Sequence, residues 1–408
     1  MVVNRSTKGN AMFDTSEFYR ESCERGFVKV DAIARNIAWE TATAWGDLQI
    51  TINLSKPEKD PRDIAAAAKA SAQSDPAGKA YIDPATGAAR PCPLCATDRD
   101  VEIGYARPIE LGGERWGIWY SPYSYYNEHC IAMSWQHRPM HIDQPAFSNL
   151  LDFVDLFPQY FIGSNADLPI VGGSILGHDH FQGGRHAFPM EGAPIVEEIV
   201  LPAFPNVRAG IVKWPLSVIR LRSASREELV GAAMRILTTW VTYDDASVGI
   251  ESGFSSASKA AHAAADGEAQ RAGAEIEKRH NTVTPIVRRR GEAYEMDLAL
   301  RCNITSAEHP LGVFHPHAEL HHVKKENIGL IEVMGLAILP PRVQRVMEEH
   351  GMSRDDVGQS FAQVLEHAGV FKWDDSGRAA LHRFLTACGA SAPECGVNVW
   401  CGEGSARS

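Results

Sequence analysis

The sequence predicts an α+β fold with mostly antiparallel sheet and flanking helices. Two observations carry that expectation. Short strand and helix candidates are mixed along the chain without the strand–helix–strand rhythm of a parallel sheet. The clearest strand candidates alternate apolar and polar residues, as strands with one solvated face do. The chain has 408 residues, more than one small core holds, so two domains or one large duplicated one are expected.

The elements follow in chain order. Residues 1–47 read as helical, with Asp14 or Ser16 as N-cap and Phe18, Phe27, Val30, Ile33 and Ile37 as the apolar positions. Residues 48–54 alternate strictly and read as a strand. A turn-rich loop at 55–61, an alanine-rich helix at 63–74 and a further loop at 75–87 come next. Strands and turns fill 101–140, a helix spans 147–161, and a strand carrying the most distinctive motif follows. Residues 211–221 read as a strand. Residues 226–241 read as a helix that buries Leu229, Ala233, Ile236, Leu237 and Trp240. The Ala-, Ser- and Gly-rich stretch 255–274 reads as a surface insertion. A hairpin is expected from 284–290 and 294–302, a histidine-rich strand at 315–323, an apolar run at 328–339 and helices over 341–385.

Bulk properties exclude some functions. The net charge is -11 and the pI about 5.8, which argues against general nucleic-acid binding. A local cluster of basic side chains and backbone N–H groups still suits a small anionic substrate. No apolar stretch approaches the length that spans a bilayer, and the N-terminus lacks a signal-peptide core, so no membrane association and a cytoplasmic location are expected. In a long intracellular chain with eight cysteines, a Cys-x-x-Cys pair reads as metal-binding or redox-active in preference to a disulfide.

The distinctive motif is Gly-Gly-Ser-Ile-Leu-Gly-His-Asp-His-Phe-Gln-Gly-Gly, residues 172–184. In an extended strand His178, His180 and Gln182 share one face. Glycine pairs on both sides suggest a site that a phosphate approaches closely, and a neutral imidazole is able to attack phosphorus and carry the transferred group. Cys92-Pro93-Leu94-Cys95 is a knuckle that presents two thiolates to one tetrahedral zinc. Two more ligands are then needed, with His137 and His178 the candidates and His129 and Cys130 the rivals. A third cluster, His315, His317, His321 and His322 with His280 upstream and Lys324-Lys325 after it, reads as an anion or metal site or as a polar strand edge. Arg288-Arg289-Arg290 reads as a solvated face or as a help in holding phosphate.

These runs identify a resemblance that covers nearly the whole chain. The segments 46–61, 120–130, 163–184, 212–221, 280–285 and 321–335 resemble galactose-1-phosphate uridylyltransferases of the divergent second class typical of Gram-positive bacteria. That family lies in the histidine-triad superfamily. The resemblance implies duplicated histidine-triad-like units, with residues 1–205 holding the zinc site and nucleophile and residues 206–408 the sugar-phosphate segment. It implies a double displacement in which His180 takes UMP from UDP-glucose and passes it to galactose 1-phosphate. Histidine-triad hydrolases carry a third histidine at the position of Gln182. A glutamine donates a hydrogen bond but exchanges no proton near neutral pH, so transfer is expected in preference to hydrolysis. The resemblance further implies a structural zinc on Cys92, Cys95, His137 and His178. Nucleotide contacts would come from Asn165, Gly173 and Ser174, and sugar-phosphate contacts from Lys324, Lys325 and Glu332. It also implies a second metal near His280 and His321, and a homodimer. Asp179 stands where the first class has proline. The competing expectations are a histidine-triad nucleotidyl hydrolase or phosphorylase, and an inactive zinc-stabilised UDP-sugar-binding protein.

Overall fold

A computed structural model describes residues 13–54, 81–82, 89–173, 175–256, 258–259 and 279–391. The first part of the chain forms α1 (Thr15–Glu24), α2 (Val30–Ile33), β1 (Ile37–Thr43), β2 (Gly46–Ile52), β3 (Tyr81–Ile82), β4 (Ala89–Arg90) and α3 (Asp98–Glu102). It continues with β5 (Arg107–Leu111), β6 (Glu114–Tyr120), β7 (Cys130–Ser134), α4 (Gln144–Leu156), β8 (Phe161–Gly163) and β9 (His180–Gly184). Then come α5 (Pro189–Gly192), β10 (Ile195–Ile199), β11 (Arg208–Val212), β12 (Val218–Ser223), α6 (Arg226–Val241), β13 (Asn281–Arg290) and β14 (Ala293–Cys302). The last elements are α7 (Leu330–Val333), β15 (Leu336–Leu339), α8 (Arg342–His350), α9 (Arg354–Ala368) and α10 (Asp375–Ala387).

The fold is α+β and built on a duplication. One sheet has the strand order β10-β11-β12-β14-β13-β8-β9-β7-β6-β5, with every neighbouring pair antiparallel. Its two halves repeat one plan. Three strands form a meander (β5-β6-β7 or β10-β11-β12), a helix follows (α4 or α6), and a last pair (β8-β9 or β13-β14) returns so that its second member pairs with the third strand. The halves meet where β8 pairs with β13 through Phe161↔Arg288, Ile162↔Val287 and Gly163↔Ile286. A smaller sheet, β1-β2-β15, includes the parallel pair β2–β15.

Each face of the large sheet buries a different core. Helices α4, α6 and α10 press Phe147, Leu150, Ile236, Trp240 and Phe384 onto one face, which receives Trp116, Phe181 and Leu298 from the strands. The other face receives Phe161, Ile286 and Ala299, covered by α7, α9 and β2 through Leu330, Val333, Phe361 and Ile50. Strand alternation then fixes the motif. Phe181 enters the helical core, where its ring stacks on Trp116 with centroids 5.0 Å apart. His180 and Gln182 face the other way.

Several expectations hold and several do not. The helix at 226–241 forms as read, the hairpin expected from 284–290 and 294–302 forms with its first strand starting earlier, at Asn281, and Asp14 caps α1 by accepting the Glu17 amide. Residues 37–43 are a strand paired with β2 and not a helix; Ile, Trp and Thr suit a pleated surface. The single strand at 211–221 is two, β11 and β12, broken around Pro215, which has no N–H for a ladder. The histidine-rich strand is absent. Pro316 precedes a tight turn in which Leu320 donates to the His317 carbonyl at 3.0 Å. Residues 328–339 divide into α7 and β15 at Gly335, whose φ of +100° favours glycine. The helix at 63–74 and nearly all of the insertion at 255–274 lie outside the described residues. Among the described residues no helix is long and apolar enough to cross a membrane.

The arginine run is internal cement. Arg288 pairs with Glu295 at 2.8 Å and Asp297 at 2.5 Å, Arg290 with Glu191 at 2.8 Å, and Arg289 with Asp155 at 3.4 Å. Arg220 joins Asp297 at 2.6 Å. Burial by itself would raise the Asp297 carboxyl, but Arg220 and Arg288 outweigh it and hold the group at about 2.

Candidate active site and metal centre

Strand β9 starts the site. It is paired on both sides, with β7 through Met133↔His180 and Ile131↔Gln182 and with β8 through Gly163↔Gln182. His180 is buried, and its Nδ1 donates to the His178 carbonyl at 2.7 Å. That bond places the ring proton on Nδ1 and leaves the lone pair on Nε2. Burial pushes the imidazole down to about 4, so the ring is neutral near pH 7. A neutral imidazole with a free Nε2 lone pair is the nucleophilic form. Gln182, half-buried on the same face, accepts at Oε1 from His129 Nε2 at 3.1 Å. Its amide NH2 is then the end that donates.

The glycine pairs serve packing more than phosphate approach. A Cβ on Gly172 would lie 2.3 Å from the Ala166 carbonyl oxygen and 2.6 Å from that of Leu168. On Gly183 it would meet the Phe161 carbonyl at 2.7 Å, and on Gly184 the Glu128 carbonyl at 2.7 Å. On Gly173 it would meet Asn165 Nδ2 at 2.7 Å. Of the four, only Gly173 has a candidate site residue, Asn165, as its nearest neighbour.

The sulfur and imidazole groups converge just before β9. Cys92 and Cys95 lie on the turn after β4, His137 follows β7 and His178 precedes β9. Their ligand atoms all lie within 4.8 Å of one another. The two Sγ atoms are 3.5 Å apart and the two Nδ1 atoms 3.2 Å apart. Sγ to Nδ1 distances are 3.2 Å for Cys92–His178, 3.3 Å for Cys95–His137 and 3.6 Å for Cys95–His178. Tetrahedral zinc, with bonds of about 2.3 Å to sulfur and about 2.0 Å to nitrogen, spaces its ligands about 3.3–3.8 Å apart. The donor set therefore fits such an ion in type and size. His178 Nε2 donates to the Ser134 carbonyl at 2.8 Å, which directs the Nδ1 lone pair at the sulfurs, as metal-bound histidines are usually oriented. The hydrogen bond from the Cys95 thiol, helped by His178, holds the Cys92 thiol well below its ordinary value. Asp179 ties the loop carrying His137 to this point: its amide donates to the Arg138 carbonyl at 2.8 Å and its carboxylate accepts from Arg138 Nε at 3.2 Å. Burial raises the Asp179 carboxyl to about 6 despite Arg138.

The sugar-phosphate candidates gather beside Asn165. Continuing the β8–β9 register beyond Gly163 carries Asn165 toward His180. Asn165 Oδ1 accepts the Leu330 amide at 2.8 Å, at the start of α7. Glu332, on the same helix, accepts from Lys324 Nζ at 2.8 Å through Oε1 and from the Gly329 amide at 3.2 Å through Oε2. Lys324 is buried and also donates to the Ile338 carbonyl at 3.0 Å. The Lys325 amide donates to Glu326 at 3.3 Å. Ser174 lies outside the described residues. Thus Asn165, Gly173, Lys324 and Glu332 come together across more than 150 residues of sequence, although Lys324 and Glu332 already satisfy one another.

His280 and His321 do not share a metal cluster among the described residues. His280 Nδ1 lies 2.8 Å from Asn303 Oδ1, and His321 Nε2 lies 3.0 Å from the Pro316 carbonyl. The second His–Glu grouping instead joins His317, Glu319 and His367. There His317 Nε2 donates to Val313, and His367 Nδ1 accepts the His317 amide. Sequence reading weighed His129 only as a rival zinc ligand; its contact with Gln182, 53 residues on, comes from the β7–β9 register.

Comparison with known proteins fits this geometry. The model described as galactose-1-phosphate uridyl transferase, N-terminal domain, matches residues 3–139, and the C-terminal domain model matches residues 153–362. The galactose-1-phosphate uridylyltransferase of Streptococcus pneumoniae (strain Hungary19A-6) is 43% identical over 420 residues, covering 92% of this chain and 78% of that protein. That of Lacticaseibacillus casei is 45% identical, covering 91% and 78%. Among solved structures, yeast Ap4A phosphorylase Apa2 is similar at a TM-score of 0.42 and 11% identity over 86% of this chain and 92% of that one. With both domain models matched and this identity sustained over nearly its whole length, the chain belongs to the galactose-1-phosphate uridylyltransferase family.

Proposed function

We propose that this chain is a nucleotidyltransferase that moves UMP from UDP-glucose to galactose 1-phosphate by double displacement through His180. In the first step Nε2 attacks the α-phosphorus, the bond to the bridging oxygen breaks, and glucose 1-phosphate leaves with that electron pair. In the second step a phosphate oxygen of galactose 1-phosphate attacks the same phosphorus, and the N–P bond returns its pair to Nε2. The His180 Nδ1–H keeps its hydrogen bond to the His178 carbonyl throughout, which steadies the ring while it carries charge. Gln182 donates to a phosphoryl oxygen and exchanges no proton, so the uridylyl group waits for a second sugar phosphate. The observation that carries the reading is the 2.7 Å bond from His180 Nδ1 to the His178 carbonyl just before its strand, because it leaves Nε2 as the nucleophilic nitrogen.

The remaining roles belong to the same proposal. Cys92, Cys95, His137 and His178 would hold a structural zinc, whose charge two thiolates balance at a site that is exposed on the His137 side. Its effect would be to fix the start of β9. Asn165, Gly173 and Ser174 are assigned to the nucleotide phosphates, Lys324 and Lys325 to the sugar phosphate, and Glu332 to sugar hydroxyls. Residues 1–205 carry the nucleotide chemistry and 206–408 the sugar-phosphate segment. The cytoplasmic location and the homodimer implied by the resemblance do not enter the chemistry.

The test is incubation with UDP-glucose alone. Metal-loaded protein should gain one uridylyl group, localised by peptide mass spectrometry to His180, and His180→Ala should gain none. Absence of the adduct defeats the covalent mechanism. Rapid release of UMP into water without acceptor points to a hydrolase instead.

A further inference from the structure

The Gln182 amide works only one way round. Its NH2 is attracted to a phosphoryl oxygen, whereas its carbonyl oxygen is repelled by one. On an otherwise free strand face the amide would rotate between the two. His129 removes that freedom. It and Ile131 lie on the Gln182 face of the β7–β9 ladder, since Ile131 pairs directly with Gln182. His129 Nε2 lies 3.1 Å from Gln182 Oε1, so with its proton on Nε2 it holds the oxygen end and turns the NH2 toward whatever lies over β9.

The placement of His129 is itself over-determined. Its ring stacks on Tyr126 with centroids 4.4 Å apart, and the Tyr126 hydroxyl donates to the Gly183 carbonyl at 3.2 Å. The preceding Glu128 sits at φ +52°, an uncommon conformation for a residue with a side chain. Its carboxylate accepts from the Tyr160 hydroxyl and pairs with Arg185 at 3.3 Å. Gly184, having no Cβ, lets residues 126–128 lie directly against the end of β9. Strained backbone persists where surrounding structure fixes it, and here what it fixes is the approach of His129 to Gln182.

We propose that His129 is a positioning residue that holds the Gln182 amide with its NH2 toward the transferred uridylyl group. This rests on the reading of His180 as the nucleophile. It predicts that His129 acts on the rate of uridylyl transfer and acts only through Gln182.

The test is a double-mutant cycle on the rate of His180 uridylylation at saturating UDP-glucose. His129→Phe keeps an aromatic ring for Tyr126 but loses the N–H. It should slow the step by about tenfold, the size of one lost hydrogen bond. In a Gln182→Ala background the same change should alter the rate by less than about twofold. His129→Gln, which keeps a donor of similar reach, should restore most of the rate, and the shorter His129→Asn should not. These two variants decide the matter if His129→Phe fails to fold. An equal slowing in both backgrounds, an unchanged rate in His129→Phe, or equal rates for His129→Gln and His129→Asn overturns the proposal. If the parent protein forms no adduct on His180, the covalent reading falls and takes this one with it. A normal parent adduct that ignores His129 overturns only the positioning role.

Discussion

Asp297→Asn tests the ion cluster that fixes the centre of the second half. The substitution keeps shape and removes charge, leaving Arg220 and Arg288 buried with Glu295 as their remaining carboxylate neighbour. Two routes give the size. The Asp297 carboxyl is depressed from 3.8 to about 2, and at about 1.4 kcal/mol per unit that contributes on the order of 2 kcal/mol. Removing one member of a buried ion cluster usually costs about 3–5 kcal/mol. A loss of about 3 kcal/mol near neutral pH is therefore expected. The sign follows from the depression. The folded carboxyl loses its proton more readily than the unfolded one, so its contribution is full above about pH 4 and is lost as the pH falls through about 2. Urea unfolding followed by tryptophan fluorescence, on the parent and the variant, should show a gap that is widest near neutrality and narrows toward about pH 3. A gap below about 1 kcal/mol at neutral pH, or one independent of pH, would refute the account.

Two further outcomes are expected. Metal analysis should find one zinc per chain bound at Cys92, Cys95, His137 and His178; Cys95→Ser should lose it and lower the unfolding temperature, and retention of stoichiometric zinc would reject the ligand set. Gly184→Ala places a Cβ 2.7 Å from the Glu128 carbonyl oxygen and 2.9 Å from Tyr126 Cε2. It should destabilise the protein by about 1–3 kcal/mol, which thermal unfolding checks, and a neutral effect would mean that residues 126–128 are free to retreat.

Much of the site was legible because its signals are local. The His-x-His-x-Gln spacing put His180 and Gln182 on one strand face, and Phe181 between them did turn to the opposite core. The Cys-x-x-Cys knuckle asked for two more ligands, and His137 and His178 stand at the right distances. What stayed hidden depends on pairing between distant segments. Nothing near His129 in sequence points to Gln182; the β7–β9 register supplies that contact. Lys324 was expected to contact the sugar phosphate, and its pairing with Glu332, eight residues on, lies across a turn that apolar patterning does not reveal. The histidine-rich segment was misjudged for a local reason: Pro316 and the Ala318–Leu320 turn replace the period of a strand, so His317 and His321 never share a face. The glycine pairs were read as room for a phosphate, whereas the structure packs neighbouring backbone and side chains against their missing Cβ atoms.

The ten-strand order also sets where the molecule yields first. Among the described residues its outermost strands are β5 and β10, at opposite ends, while β9 is bonded along both sides by β7 and β8. Edge strands open with little loss of buried surface, and interior strands open only with the whole. His180, the proposed nucleophile, thus rides on an interior strand, whose amides should exchange with solvent more slowly than those of the outer strands. On that reading heat or denaturant loosens the margins before it reaches the proposed nucleophile, so loss of shape at the margins and loss of chemistry should be separable events.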